Sequence, residues 1–225
     1  MLNLSNPVFV ESHDVEVDTI LTLPSQTSAL AVAQSCRDTA MVFMEDSLSW
    51  GKGQLAMWLM GPYGQITQYT HAVERVTQSG RYQKMQAPLL REIDARMVDR
   101  VISSARDEVI ARLGQTLDGS GEVGHGEPGF VYDMVSLGFV VRCEDARQIE
   151  GWVPSSSARR LADRLLSLFA ADYLVRPHDY ENELAVCRKC GHIAFDPISR
   201  ARGICNRHGS GVFVPGGGSF FPQGA

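Results

Sequence analysis

The sequence predicts an α+β protein in which a mixed or antiparallel sheet carries two long amphipathic helices. The first helix is indicated over residues 88–113, where apolar residues recur every three or four positions and charged residues occupy the opposite face. The same spacing indicates the second helix over residues 158–174. Strands are indicated by short apolar runs between glycine and proline turns, chiefly within residues 40–87 and 130–142.

Each long helix has a recognisable start. Pro88 suits the first turn of a helix, where a backbone N–H would have no partner within the helix. The face that follows is expected to be buried and consists of Leu90, Ile93, Met97, Val101, Ala105, Val109 and Leu113. Pro154 and the serines after it precede the second helix, whose buried face is expected to consist of Leu161, Ala162, Leu165, Leu168, Phe169 and Tyr173.

The other predicted elements are shorter. One or two strands are expected in residues 8–23, where apolar residues alternate, and a short helix rich in alanine is expected over residues 28–36. Residues 41–43 indicate a buried strand, residues 55–60 a central strand and residues 66–86 a hairpin with a polar face. These last three elements are predicted to form an antiparallel meander.

The composition is that of a globular protein, with 44% hydrophobic and 21% charged residues. The net charge of −5 argues against broad electrostatic attachment to nucleic acid or to anionic lipid. No apolar run approaches the roughly 18 residues of a membrane span, and residues 1–10 lack the basic and apolar regions of a signal peptide. We therefore expect a cytoplasmic protein without a membrane span.

The chain is long enough for a main domain with a small appendage. The main domain is expected to comprise residues 1–175 and to contain a flexible linker, residues 114–129, that is rich in glycine. Residues 119–124 match G-x-G-x-x-G, but they follow a predicted helix and precede none, which is wrong for a dinucleotide-binding turn. A small module over residues 184–214 and a mobile tail over residues 215–225 are expected to complete the chain.

A cluster of metal ligands is indicated by Cys187, Cys190, Cys205 and His208, spaced C-x₂-C-x₁₄-C-x₂-H. Two close pairs of soft ligands suit a tetrahedral Zn²⁺, because each pair can occupy one tight turn and the loop lets the turns face each other. Gly191 suits such a turn, whose backbone must bend sharply and direct N–H groups at thiolate sulfur. We therefore predict one structural zinc ion held by these four side chains.

Alternatives exist for the same residues. Cys187 and Cys190 alone could form a redox pair, but such a pair is expected at the start of a helix, whereas strand-like residues flank this one on both sides. His192 competes with His208 for the fourth position, and His208 is favoured because it repeats the x₂ spacing from Cys205. A catalytic zinc with an open position would require that His208 be displaced.

The two ligand pairs and their turns resemble a zinc ribbon, over residues 184–214. The resemblance implies a closed, structural metal site and does not by itself imply an activity. The two remaining cysteines, Cys36 and Cys143, are expected to be small core residues.

The ribbon-like segment is rich in basic residues. Between Glu183 and His208 it contains two acidic residues and five basic ones, which are Arg188, Lys189, Arg200, Arg202 and Arg207. The segment therefore has a surplus of three positive charges before it binds metal, in a chain whose net charge is −5. We expect these basic side chains to contact a partner by electrostatic attraction.

The sequence contains neither G-x-S-x-G nor H-E-x-x-H, and no acid, base and nucleophile converge in it. We therefore predict a zinc-binding adaptor or regulatory protein that acts through protein–protein interaction. One alternative is a nucleic-acid-associated protein that uses the basic ribbon. The other is an enzyme whose site is built from loops, around His125, Glu127, Tyr132 and Asp133.

Overall fold

Helices predominate in the computed structural model, which describes residues 28–72, 97–123, 126–145 and 149–209. In chain order the elements are α1 (Ala29–Asp46), a 3₁₀ turn (Ser47–Ser49), α2 (Lys52–Met60), α3 (Pro62–Ala72), α4 (Val98–Leu117), α5 (Gly129–Ser136), β1 (Val140–Asp145), β2 (Ile149–Pro154), α6 (Leu161–Tyr173), α7 (Pro177–Asn182), β3 (Leu184–Val186), β4 (Ile193–Phe195) and α8 (Pro197–Arg202).

The predicted α+β class is confirmed. The described residues contain two sheets, each of two antiparallel strands, formed by β1 with β2 and by β3 with β4. The two long amphipathic helices are also present, as α4 and α6. The predicted meander is wrong in its described part, because residues 40–72 are almost entirely helical.

Helix α1 includes residues 41–43, which were predicted to form the first strand of that meander. Its start was predicted, and the Ser28 hydroxyl caps it by accepting a hydrogen bond from the Ala31 N–H at 3.2 Å. Residues 41–43 continue this helix, and their consecutive apolar side chains lie on different sides of it. Phe43 is fully buried, whereas Val42 is 46% exposed. A short apolar run cannot by itself distinguish a strand from a helix.

Helix α2 replaces the predicted central strand at residues 55–60. Its buried residues are Leu55, Trp58 and Leu59, which follow the helical spacing of three and four, while Met57 between them is exposed. Helix α3 covers the first part of the predicted hairpin, and the rest of that hairpin lies outside the described residues.

Helix α4 confirms the helix predicted over residues 88–113 from Val98 onward, and it extends to Leu117. The predicted stripe is buried at Ala105, Val109 and Leu113. The part of the prediction over residues 88–96 lies outside the described residues, as do the strands predicted in residues 8–23 and the tail over residues 215–225.

Helix α6 lies at the centre of the fold. All of its residues except Asp163 are buried, and it packs against α1, α4, α5 and the β1–β2 hairpin. Such burial on every side is typical of a helix in the middle of a core. Cys36 and Cys143 belong to the same core, as predicted. In the described part of the chain, no helix is long and apolar enough to cross a membrane.

Two boundaries in the middle of the chain differ from prediction. Gly114 lies inside α4, so the segment between α4 and α5 is shorter than the linker predicted over residues 114–129. Residues 129–136 form α5 instead of a strand, because Phe130, Val131 and Met134 recur at helical spacing and are buried. The strand predicted over residues 130–142 is confirmed only from Val140. That the glycine-rich stretch is flexible stays a prediction.

Candidate metal centre

Two tight turns build the site, one on each side of β4 and α8. In the first turn, which follows β3, the Cys187 N–H donates to the His192 carbonyl and the Gly191 N–H donates to the Cys187 carbonyl, both at 2.8 Å. In the second turn the His208 N–H donates to the Cys205 carbonyl at 2.9 Å. Backbone hydrogen bonds thus close the first turn between Cys187 and Gly191 and the second between Cys205 and His208, which brings the two ligands of each pair together.

Gly191 is required in the first turn for two reasons. Its φ angle of 68° lies in the left-handed region that favours glycine. A Cβ atom at this position would also lie 2.7 Å from Cδ1 of Ile110 on α4. The absence of a side chain at residue 191 therefore lets the first turn both bend sharply and pack against α4.

We expect Gly191→Ala to lower the free energy of unfolding by about 2 kcal/mol, through left-handed strain and the clash with Ile110. Urea unfolding followed by circular dichroism measures this change. Gly138→Ala is the matched control, because Gly138 has the same φ angle of 68° and has no atom within 4 Å of its Cβ position. The control should lose about 1 kcal/mol from strain alone. Equal losses in the two variants would show that the contact with Ile110 has no energetic cost.

The four predicted ligands come together as a group. Their ligand atoms all lie within 4.8 Å of one another. The Nδ1 atom of His208 is 3.6 Å from Sγ of Cys187 and 3.4 Å from Sγ of Cys205, and the Sγ atoms of Cys190 and Cys205 are 3.7 Å apart. With Zn–S bonds of about 2.3 Å and a Zn–N bond of about 2.0 Å, a tetrahedron has S···S edges of about 3.8 Å and S···N edges of about 3.6 Å. The observed distances therefore fit a tetrahedral ion.

The turns also prepare the sulfur atoms for metal. Burial raises the pKa of Cys187, but backbone N–H groups of Cys205, Lys189 and Cys190, together with the His208 ring, lower the pKa to about 5. Cys187 is therefore a thiolate at neutral pH, which is the form that binds metals. The pKa of Cys190 is raised by burial and by the neighbouring sulfur atoms, although the His192 N–H opposes this shift. A bound cation would remove this mutual repulsion.

The group contains His208, and His192 is not a member of it. His192 contributes its backbone instead, since its carbonyl accepts from Cys187 and its N–H is directed at the sulfur of Cys190. This agrees with the choice made from the x₂ spacing.

The strands beneath the ligands pack into the core of the protein. Leu184 of β3 and Ile193 of β4 are buried and belong to the same hydrophobic cluster as α6. Phe195 at the end of β4 contacts Tyr180 of α7, with ring centroids 5.0 Å apart. The guanidinium of Arg37 on α1 lies 3.8 Å from the centroid of the Phe195 ring. The segment that contains the candidate ligands is thus anchored on α1, α4 and α7.

A buried ionic network, which sequence analysis missed, lies beside this anchor. Asp172 of α6 is fully buried, and its carboxylate accepts hydrogen bonds from Arg37 at 2.7 Å, from Arg176 at 2.8 Å and from the Tyr180 hydroxyl at 2.8 Å. Arg37 also donates to Asp179 at 2.7 Å. The available signal was an aspartate among the apolar residues of the second long helix, because a buried carboxylate needs a cationic partner.

The five basic residues near the ligands fall into two sets. Arg200 is half-buried, and its guanidinium donates to the carbonyls of Tyr180 and Leu184 at 3.2 and 2.9 Å. The other four are exposed, and in the described part of the chain none of them forms an ion pair; they are Arg188, Lys189, Arg202 and Arg207. The Arg188 N–H donates to the Gly203 carbonyl at 3.2 Å, which places the backbone of Arg188 beside the end of α8 and so near Arg202.

The described residues among those suggested for a loop-built enzymatic site lie on α5 and in the turn before it. Tyr132 is 54% exposed on α5, and Asp133 forms an ion pair with Arg112 of α4 at 3.2 Å. Glu127 is exposed in the turn before α5, and His125 lies outside the described residues.

The chain was also compared with known proteins. Protein-family models, curated proteins and solved structures give no match to it.

Proposed function

We propose that the chain binds one structural Zn²⁺ through Cys187, Cys190, Cys205 and His208. The observation that carries this proposal is the gathering of the four ligand atoms within 4.8 Å of one another, with three of their six separations at 3.4–3.7 Å, close to the edges of a zinc tetrahedron. Three thiolates and one imidazole form a soft ligand set that suits zinc in preference to magnesium or calcium. Because protein atoms would occupy all four positions, the metal would stabilise the fold and would have no open position for substrate.

The protein as purified is expected to contain one zinc per chain. Metal analysis by plasma mass spectrometry measures the stoichiometry, and X-ray absorption measures the bonds. We expect three Zn–S distances of about 2.3 Å and one Zn–N distance of about 2.0–2.1 Å. His192→Ala is the matched control for His208→Ala: the first should retain zinc and the Zn–N signal, and the second should lose that signal. Fresh reduced protein without zinc would contradict the proposal.

We further propose that the protein is a cytoplasmic adaptor or regulatory protein, and that the exposed cations around the metal contact an acidic surface of a partner protein. Support comes from the exposed side chains of Arg188, Lys189, Arg202 and Arg207, none of which forms an ion pair with another described residue at 4.0 Å or less. Ile198 on α8 is 58% exposed and lies four residues before Arg202, so an apolar side chain and a cation share one helix face. No disulfide joins any of the five cysteines, all of which lie in the described residues, and this fits a reducing compartment.

Charge reversal tests this surface. Arg188→Glu with Arg202→Glu is expected to leave zinc content and melting temperature unchanged, because exposed charges contribute little to folding, and to abolish capture of the partner. The partner is identified by cross-linking of the native protein and mass spectrometry. Arg100→Glu with Arg159→Glu, which changes the charge equally at two exposed sites elsewhere, should retain capture. Full capture by the first variant would show that the partner binds elsewhere.

Nucleic acid is the second candidate partner, since the same unpaired cations could contact phosphate. Anisotropy measurements with single-stranded and duplex oligonucleotides at increasing salt distinguish the two. Binding to nucleic acid should weaken steeply with salt concentration, because neutralised phosphates release counterions. Strong, salt-sensitive binding that Arg188→Glu with Arg202→Glu removes would favour nucleic acid over an acidic protein.

A further inference from the structure

Cys190 differs from every other cysteine of the chain in its exposure. Cys36, Cys143, Cys187 and Cys205 are all buried, with 4% or less of their surface exposed, whereas Cys190 is exposed. All five cysteines of the sequence lie in the described residues, so this comparison is complete. Cys190 is therefore the cysteine that an oxidant in solution can approach most readily.

A second sulfur lies close to the exposed one. The Sγ atom of Cys205 is 3.7 Å from that of Cys190, and it is buried on the inner side of the site. A disulfide requires an S–S distance of about 2.0 Å, so the two turns need to approach by about 1.7 Å. Cys205 lies outside the regular elements, between the end of α8 and His208.

We propose that Cys190 is an oxidation site and that peroxide converts the metal centre into a Cys190–Cys205 disulfide, with loss of the metal. This inference rests on the proposed zinc site. In the first step Cys190, which is a thiolate when it binds the metal, attacks hydrogen peroxide, so that an S–O bond forms, the O–O bond breaks and hydroxide leaves. In the second step the Cys205 thiolate attacks the Cys190 sulfur, so that the S–S bond forms, the S–O bond breaks and a second hydroxide leaves.

The balance of this reaction explains the loss of metal. Two sulfur atoms give up two electrons in total, and the peroxide accepts them and becomes two water molecules after taking up two protons. Two of the four ligands are then tied in the disulfide, and only Cys187 and His208 remain. Two ligands do not make a closed tetrahedral site, so the affinity for zinc falls. Reduction of the disulfide restores all four ligands, which makes the centre a reversible redox switch.

The test uses the full chain, with zinc content measured first. Stoichiometric hydrogen peroxide is added, released zinc is followed with a chromogenic chelator, and disulfides are mapped by differential alkylation and mass spectrometry. We expect about one zinc released per chain, a disulfide between Cys190 and Cys205, and recovery after dithiothreitol and zinc are added. A disulfide between Cys187 and Cys190, or oxidation of Cys36 or Cys143 first, would overturn the proposal.

Two variants sharpen the test. Cys190→His replaces the sulfur ligand at this position with a nitrogen ligand and so removes the exposed thiol. Zinc release by peroxide should therefore slow at least tenfold. Cys36→Ala with Cys143→Ala removes only the thiols outside the site and should release zinc at the normal rate. Normal release from Cys190→His would overturn the proposal. If Cys190→His fails to bind zinc, the disulfide map of the unsubstituted chain still shows whether peroxide joins Cys190 to Cys205. Absence of zinc from that chain contradicts the proposed function, and the map still tests the Cys190–Cys205 pairing.

Discussion

Cys205→Ser is expected to lower the melting temperature of the protein by about 10 °C. Loss of a structural metal removes binding free energy that is also folding free energy, and we expect it to lower the free energy of unfolding by at least about 3 kcal/mol. Each kcal/mol shifts the melting temperature of a protein of this size by about 2–4 °C. Circular dichroism measures the transition, and limited proteolysis shows whether the chain is cut near Cys190 after zinc is lost.

The packing of the metal-binding strands is the reason for so large an effect. Leu184 and Ile193 are buried in the core that contains α6, so disorder of residues 184–209 also uncovers apolar surface of the main helices. Cys143→Ala is the matched control, because Cys143 is equally buried and is not a ligand. It should lose only about 1 kcal/mol, as for a small loss of core volume. An unchanged melting curve and unchanged protease resistance near Cys190 in metal-free protein would assign the site a role other than stability.

Asp172→Ala is expected to lower the free energy of unfolding by about 3–5 kcal/mol. The substitution removes the buried carboxylate that Arg37 and Arg176 both contact and leaves them only the partly exposed carboxylate of Asp179, at 2.7 and 3.8 Å. Removing the buried partner of a buried charge is strongly destabilising. It also removes one of the two acceptors of the Tyr180 hydroxyl, the other being the Phe169 carbonyl at 2.9 Å. The pKa of this hydroxyl is raised well above its usual value by burial and by Asp172, so that the hydroxyl remains a donor. Urea unfolding measures the change.

Asp133→Ala is the control for this prediction. Asp133 also pairs with an arginine, Arg112, at 3.2 Å, but both side chains are 40% exposed. Its loss should cost less than about 1 kcal/mol, because water screens exposed ion pairs. A double variant, Asp172→Leu with Arg37→Met, should recover part of the stability lost in Asp172→Ala, since apolar residues can replace a buried ion pair. Equal effects of Asp172→Ala and Asp133→Ala would contradict the importance of burial.

The arrangement of the network suggests why both predictions concern the same part of the molecule. Arg37 contacts Asp172 on one side and the ring of Phe195 on the other. The network therefore links helix α1 to the strand that follows the first metal-binding turn. We expect the stability losses of Cys205→Ser and Asp172→Ala to be less than additive, because residues that share partners couple energetically.

The metal-binding group could be predicted from sequence because its geometry is mostly local. Each pair of ligands lies within four consecutive residues, and a single turn closed by backbone hydrogen bonds brings the pair together. Spacing therefore identified Cys187, Cys190, Cys205 and His208, and it favoured His208 over His192. Long stripes of apolar residues likewise predicted α4 and α6, since a period of 3.6 sustained over many residues has no alternative in a strand.

Tertiary structure decided the rest. Residues 41–43 and 55–60 contain runs of apolar residues too short to show a period. The first run is helical in α1, which packs against α6 and β2, and the second is helical in α2, which packs against α3 and whose Trp58 donates to the Thr39 carbonyl of α1 at 3.1 Å. The partners of Asp172 lie 135 residues away at Arg37 and a few residues away at Arg176 and Tyr180, and no sequence spacing predicts the first of these contacts. The sequence by itself thus predicted the four residues that come together as a candidate metal site, because the geometry of each pair is local. The fold determined what they are anchored to, because burial and charge pairing between distant residues exist only once the chain has packed.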